Sequence, residues 1–348
     1  MSIFDLIVSA EIAAYWEELS QHEAPYVGEE LWEDDKKRGL DIKWIKGSKG
    51  LPVALKASAF DVASIARPRI KFDKLSAQMP YFKESKYIDE EMRQELNMVI
   101  ETGNQAYIES VIKNIFDDQL DLLRGARATK EAMRMMVLTT GAIAMEANGQ
   151  LYNYDYQVPA DHKGDAAVPW SDLENSDPID DITKALDKIE EDTGVRPTRG
   201  MLNATVWKNL RQNKAIKNSI YVLTQGAITR ISDEKLRQYI LDETGVSIYK
   251  NDKRYIDERG ENQKFCPDNT LVLFPDGKLG KTWHGTTPAE SDLMTSKVAN
   301  VSIVDTGVAI TTVEHADPVN VETIVSMICL PDFPNADQVY IMDTEKEA

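Results

Sequence analysis

The chain has 348 residues, enough for one large or two medium domains with a hydrophobic core, and its 40 Lys and Arg against 58 Asp and Glu leave a formal net charge of −18 at pH 7. That balance disfavours a protein that grips nucleic acid through its phosphates. The two cysteines, Cys266 and Cys329, have no second Cys or His at ligand spacing, which argues for a reducing compartment and against a zinc site.

The opening decapeptide MSIFDLIVSA is apolar but carries Asp5 and lacks a basic start, so it makes a poor secretory signal. No apolar run is long enough to span a bilayer, and the expectation is a soluble protein made in a cytoplasm. Residues 1–50 mix short helical pieces such as Ile12–Leu19 with a charged run and read as an arm without a core of its own. Residues 51–87 contain Pro52, Pro68 and Pro80 and alternate partially over Arg69–Leu75, the pattern of an extended two-stranded loop with prolines at its bends or edges. Charge is segregated here: between residues 36 and 86 thirteen Lys or Arg face four acids, whereas between 88 and 121 nine acids face two bases. A basic segment followed by an acidic one suggests two surfaces that meet. The basic stretch is open to three readings: a solvated loop, contact with an acidic protein surface, or a nucleic-acid arm. The scatter of its cations through strand-like text disfavours the last.

From Tyr81 to Val158 there is no proline, and the apolar residues take up helical spacing. Asp89 can cap a first helix, with Glu90 and Glu91 in its first turn. Beyond Gly103, Ile108, Val111, Ile112, Ile115, Phe116, Leu120 and Leu123 repeat at three and four, and the stripe resumes after Gly125 with Met133, Met136, Val137, Ile143 and Ala144. The spacing predicts a long helix whose methionines face a core, and leaves open whether Gly125 breaks it. An alternating strand follows over residues 150–159. Asp177 with Pro178 opens a helix lined by Ile179, Ile182, Leu186 and Ile189 and closed by Gly194. Further helices are expected around Val206, Trp207 and Leu210, and from Ser232 to Gly245. Strands then dominate: Val246–Tyr249, Thr270–Phe274, Val298–Val304, Val308–Val313, Thr323–Leu330 and Val339–Met342. The fold class is α+β, with one long helix and antiparallel sheets.

Catalytic and ligand-binding motifs are sparse. His22, His162, His284 and His315 are far apart and none stands in a His-x-x-x-His arrangement, so no metal ligands are assigned. No phosphate-binding glycine loop and no Gly-x-Ser-x-Gly occurs, so no cofactor and no catalytic residue is assigned. Cys266, beside Pro267 and without a helix start to lower its pKa, reads as a strand-edge residue. The one rival is Asp305-Thr306-Gly307 between apolar strands, which looks like the active-site triplet of aspartic proteases. Those enzymes need two carboxylates sharing a proton, supplied from two lobes or from a dimer. A hairpin turn explains the same residues without chemistry.

The stretch Lys264-Phe-Cys-Pro267-Asp268, then Leu279-Gly280-Lys-Thr-Trp-His-Gly285-Thr286-Thr287-Pro288-Ala289-Glu290, resembles a passage of tailed-phage major capsid proteins of the lambda major head protein (capsid protein E) family. Ala289-Glu290 stands where the Gram-positive phage branch has Glu-Glu. The residues Asp177-Pro-Ile-Asp-Asp181, Val206-Trp207-Lys-Asn-Leu210, Asp317-Pro318 and Pro331-Asp332 extend the resemblance over roughly 177–340; the N-terminal half is similar in plan only. The resemblance implies the Hong Kong 97-like (HK97) phage capsid fold with an N-terminal arm (1–50), an E-loop (51–87), a peripheral domain with a spine helix (88–165), an axial domain (166–299), and C-terminal strands (300–348) completing those domains. It implies a shell subunit and not an enzyme, which self-assembles as pentamers and hexamers into an icosahedral head around double-stranded DNA without sequence-specific binding. It also implies partners in a scaffolding protein and a portal, room for a decoration protein, no membrane contact, and a virion location after assembly in the host cytoplasm. E-loops of this fold lie across a neighbouring subunit, so Arg67, Arg69, Lys71 and Lys74 are expected to meet acidic surface around Glu109, Asp117 and Asp118.

Overall fold

Thirty-six residues from Gln105 to Thr140 form one uninterrupted helix, about 54 Å long at the usual rise per residue. Gly125 lies inside it with open space where a Cβ would stand, so glycine weakens local propensity there without breaking the ladder. The helix ends earlier than its apolar stripe suggests: Gly141 adopts φ +76°, and a Cβ there would lie 2.6 Å from Val158 Cγ2. Ile143 and Ala144 therefore belong to a strand and not to the helix.

The computed structural model describes residues 7–46, 73–88, 90–102, 105–147, 150–221, 230–257, 259–295, 299–317 and 319–345. In chain order the helices are α1 (Ser9–Ser20), α2 (Val27–Leu31), α3 (Glu90–Thr102), α4 (Gln105–Thr140), α5 (Pro178–Thr193), α6 (Ala204–Gln212), α7 (Lys214–Ile220) and α8 (Asp233–Thr244). The strands are β1 (Trp32–Lys36), β2 (Asp41–Lys46), β3 (Asp73–Gln78), β4 (Tyr81–Tyr87), β5 (Ala142–Ala147), β6 (Gln150–Asp155), β7 (Lys163–Asp165), β8 (Arg199–Leu202), β9 (Ser247–Lys250), β10 (Arg254–Ile256), β11 (Asn262–Lys264), β12 (Thr270–Phe274), β13 (Gly280–His284), β14 (Asn300–Val304), β15 (Val308–Ala316), β16 (Val319–Pro331) and β17 (Tyr340–Asp343).

A six-stranded sheet runs β1-β13-β16-β15-β14, with β4 on β16 beside β13; a five-stranded sheet runs β7-β17-β12-β8-β9. The hairpins β2-β3, β5-β6 and β10-β11 stand apart. Pairing is mostly antiparallel; the exceptions are β1 on β13, β7 on β17 and β8 on β9. Helix ends follow local chemistry: Asp177 accepts the Asp180 N–H at α5, Asn203 that of Val206 at α6, Asn213 that of Ile216 at α7 and Ser232 that of Lys235 at α8. Gly194 and Gly245 close α5 and α8 in left-handed conformation.

The five-stranded sheet is a wall between two cores. Leu202, Leu271, Leu273 and Met342 join the core under α5, α6 and α8, whereas Met201, Val272, Phe274 and Ile341 point the other way into the core around α4. Burial on both faces is why β12 reads as the continuous apolar run Leu271–Phe274 and not as an alternating strand. The arm brings no core of its own but lends residues to the α4 core. Ile12, Trp16, Leu31 and Trp32 are all buried there, and the Trp32 indole donates to the Asp332 carbonyl at 2.7 Å.

Candidate assembly interface

Strands β2 and β3, on either side of residues 47–72, pair antiparallel from Asp41 opposite Gln78 to Lys46 opposite Asp73. Lys74 lies on β3 opposite Ile45. Arg67, Arg69 and Lys71 fall outside the described residues. The chain returns along β4, whose Lys86 Nζ reaches the spine helix α4: Asp118 Oδ1 at 2.7 Å, the Asp118 carbonyl at 2.9 Å and Asp121 Oδ2 at 3.4 Å. Partial burial alone would lower the Lys86 pKa, but the two carboxylates outweigh it and raise it above the ordinary lysine value.

The acidic residues singled out on α4 are thus partly engaged within their own subunit. Asp117 Oδ1 accepts the Tyr15 hydroxyl at 3.0 Å, and Glu109 sits two turns nearer the helix start. Asp117 and Asp118 remain half-exposed, and each carboxylate can accept from more than one donor. Sequence reasoning missed the intrachain partners, Tyr15 and Lys86, because they are 102 and 32 residues away in the chain.

The rival chemistry dissolves in the geometry. Asp305, Thr306 and Gly307 form the turn of the β14-β15 hairpin, with Val304 opposite Val308 and Asp305 at φ +48°. The Asp305 carboxylate accepts the Trp16 indole N–H at 3.4 Å and faces Lys130 Nζ at 3.6 Å; that same ammonium stands 3.5 Å from Asp34. A lysine between two carboxylates is the opposite of a dyad of carboxyls sharing one proton. Gly307 packs on a buried imidazole: a Cβ there would lie 2.6 Å from His284 Cβ. Cys266 is fully buried, not at an edge, and burial pushes its thiol up to about 12, far from the thiolate a nucleophile needs. Asp161, His162 and Asp192 are the one grouping with metal-ligand geometry among the described residues, and Lys188 Nζ already lies 3.0 and 2.8 Å from the two carboxylates. No described helix is long and apolar enough to cross a membrane.

A family model described as phage major capsid protein E matches residues 9–343. The chain belongs to the phage major capsid protein E family. It is a capsid shell subunit, a virion component that assembles with copies of itself, and the family is structural and not enzymatic. Solved structures place its fold. A chain described as the capsid protein of a prophage of Escherichia coli CFT073 aligns with a TM-score of 0.59 at 15% identity, over 97% of this chain and 99% of that one. A phage-related protein of Bordetella bronchiseptica RB50 gives 0.56 at 12%, over 97% of each chain, and the capsid of cyanophage A-1(L) 0.54 at 12%, over 93% of each. The fold is the Hong Kong 97-like capsid fold. A comparison with curated proteins returns no significant match.

Proposed function

We propose that this capsid subunit closes its shell by laying the basic E-loop, residues 51–87 with Arg67, Arg69, Lys71 and Lys74, on acidic surface of the adjacent subunit around Glu109, Asp117 and Asp118. The observation that carries this reading is the charge segregation between adjoining segments, thirteen cations against four acids and then nine acids against two bases. The β2-β3 hairpin, which forms a sheet of its own, supports it by giving the loop a stalk. A single exposed ion pair contributes only about 0–1 kcal/mol, so specificity comes from many such contacts repeated around a closed symmetric assembly.

In this reading 88–165 with the strands of 300–348 form the peripheral domain and 166–299 the axial domain, and the separate core under α5, α6 and α8 supports the division. Pentamers and hexamers assemble in the host cytoplasm on a scaffolding protein and around a portal, and a decoration protein can cover the outside. An acidic body suits a container, because packaged DNA slides along it and does not adhere. The test is charge reversal at Arg67 and Arg69: folded subunits that no longer form shells are expected, and normal particles from that variant would sink the reading.

A further inference from the structure

Residues 23–36 cross the spine helix as a strap, and the strap is fastened by charges of two kinds. The first kind is permanent. Arg127 pairs with Glu23 at 2.9 Å and Glu29 at 2.6 Å and stands 5.1 Å from the Tyr26 ring. Lys253 covers the other part of that ring at 4.4 Å and donates to the Ala24 and Pro25 carbonyls at 3.1 and 2.8 Å.

The second kind lies deeper. Lys130, Glu131 and Arg134 on α4 and His284 on β13 are all 4% exposed or less. Arg134 reaches Asp34 on the strap, and its Nε donates to Thr282 at 2.8 Å. His284 Nε2 donates to Asp34 Oδ1 at 3.1 Å, which leaves Nδ1 as a bare acceptor, buried against Gly307 with no partner. On the other side of Arg134, Glu131 Oε1 accepts the Gly28 N–H at 3.0 Å while its Oε2 is buried with no partner.

We propose that His284 and Glu131 make the strap a two-sided proton-sensitive clasp, which holds residues 27–36 on the spine helix most firmly when the imidazole is neutral and the carboxyl protonated. A proton added at His284 becomes an unsatisfied buried donor and a third cation beside Lys130 and Arg134, which already balance Asp34 and Asp305; Cys329, opposite on β16, offers no anion. A proton lost at Glu131 leaves a buried anion with one bare oxygen. It faces Glu29 on the strap, and Arg134 and Lys253 oppose that charge.

Burial lowers His284 below its ordinary 6.5, so the hold it contributes is present above that value and is lost as the pH falls. Burial pushes Glu131 up to about 7, so its hold is present below the ordinary 4.5 and is lost as the pH rises through 7.

Hydrogen exchange on the full-length chain, corrected for intrinsic rates, separates the two limbs. In His284→Gln, protection of residues 27–36 is expected to fall about tenfold from pH 6 to pH 8, as a proton held near pH 7 is given up. In Glu131→Gln it is expected to fall as the pH drops from 6.5 to 5 and to exceed the wild-type value at pH 8. The double variant is expected to be flat. A flat profile in either single variant overturns the clasp, as does a parallel loss in residues 178–193, which would mean global unfolding.

Discussion

The two cores on either side of the five-stranded sheet are built by different means. On the side of α5, α6 and α8, polar groups inside the core are satisfied over shorter spans: Asn213 accepts Ile216 N–H and donates to the Ser176 carbonyl, 37 residues away, and Asp181 accepts the Trp170 indole at 2.9 Å, eleven residues away. On the other side, the core around α4 joins residues from both ends of the chain. Arg134 meets Asp34 and Thr282, Trp16 meets Asp305, and Trp32 meets Asp332, at separations of 100 to 300 residues. Closing distant segments together costs more chain entropy than closing nearer ones, and those contacts form later in folding.

Substitutions can break or sharpen that contrast. The largest effect is expected at Trp32→Ala, which empties a buried site beside Phe333 and removes the hydrogen bond to Asp332: about 3–5 kcal/mol by chemical denaturation. Next is Asp34→Asn, which strips Lys130 and Arg134 of a shared anion at about 3 kcal/mol. Burial opposes the Asp34 charge, but the His284 hydrogen bond and the Lys130 and Arg134 charges hold its carboxyl well below the usual carboxylate range. Its contribution is therefore present above the ordinary 3.8 and lost as the pH falls below it, so melting curves of wild type and Asp34→Asn should converge in acid. In the core under α5, α6 and α8, Asn213→Ala should cost only about 1–2 kcal/mol, a cap and one buried acceptor. Smallest is Lys86→Ala, whose half-exposed pairs are expected to contribute about 0–1 kcal/mol to subunit stability. If Asn213→Ala proved as damaging as Asp34→Asn, the distinction between the two cores would fail.

Legibility in the sequence followed the same divide. Asp177, Ser232, Gly194 and Gly245 bound their helices where their residue types say they should, because caps act within a few residues. The spine stripe was legible too, but its end was not, because Gly141 stops the helix by backbone conformation while apolar residues continue into β5. The short α7 was missed beside α6, where a single residue, Asn213, ends one helix and caps the next. The parallel partnership of β1 with β13 had no local signal: Glu33, Asp34 and Asp35 belong to the charged run of the arm, and the cations that meet Asp34 and Asp35, Arg134 and Lys281, are distant in the chain. The Asp305-Thr306-Gly307 triplet shows how a motif misleads without its surroundings, since its aspartate holds Trp16 and Lys130 and its glycine makes room for His284.

That the subunit builds a shell with copies of itself is tested by negative-stain microscopy and sedimentation of the chain expressed alone and with the product of the gene upstream of it. Shells, tubes or capsomer rings are predicted. A single small species under every condition would contradict the account.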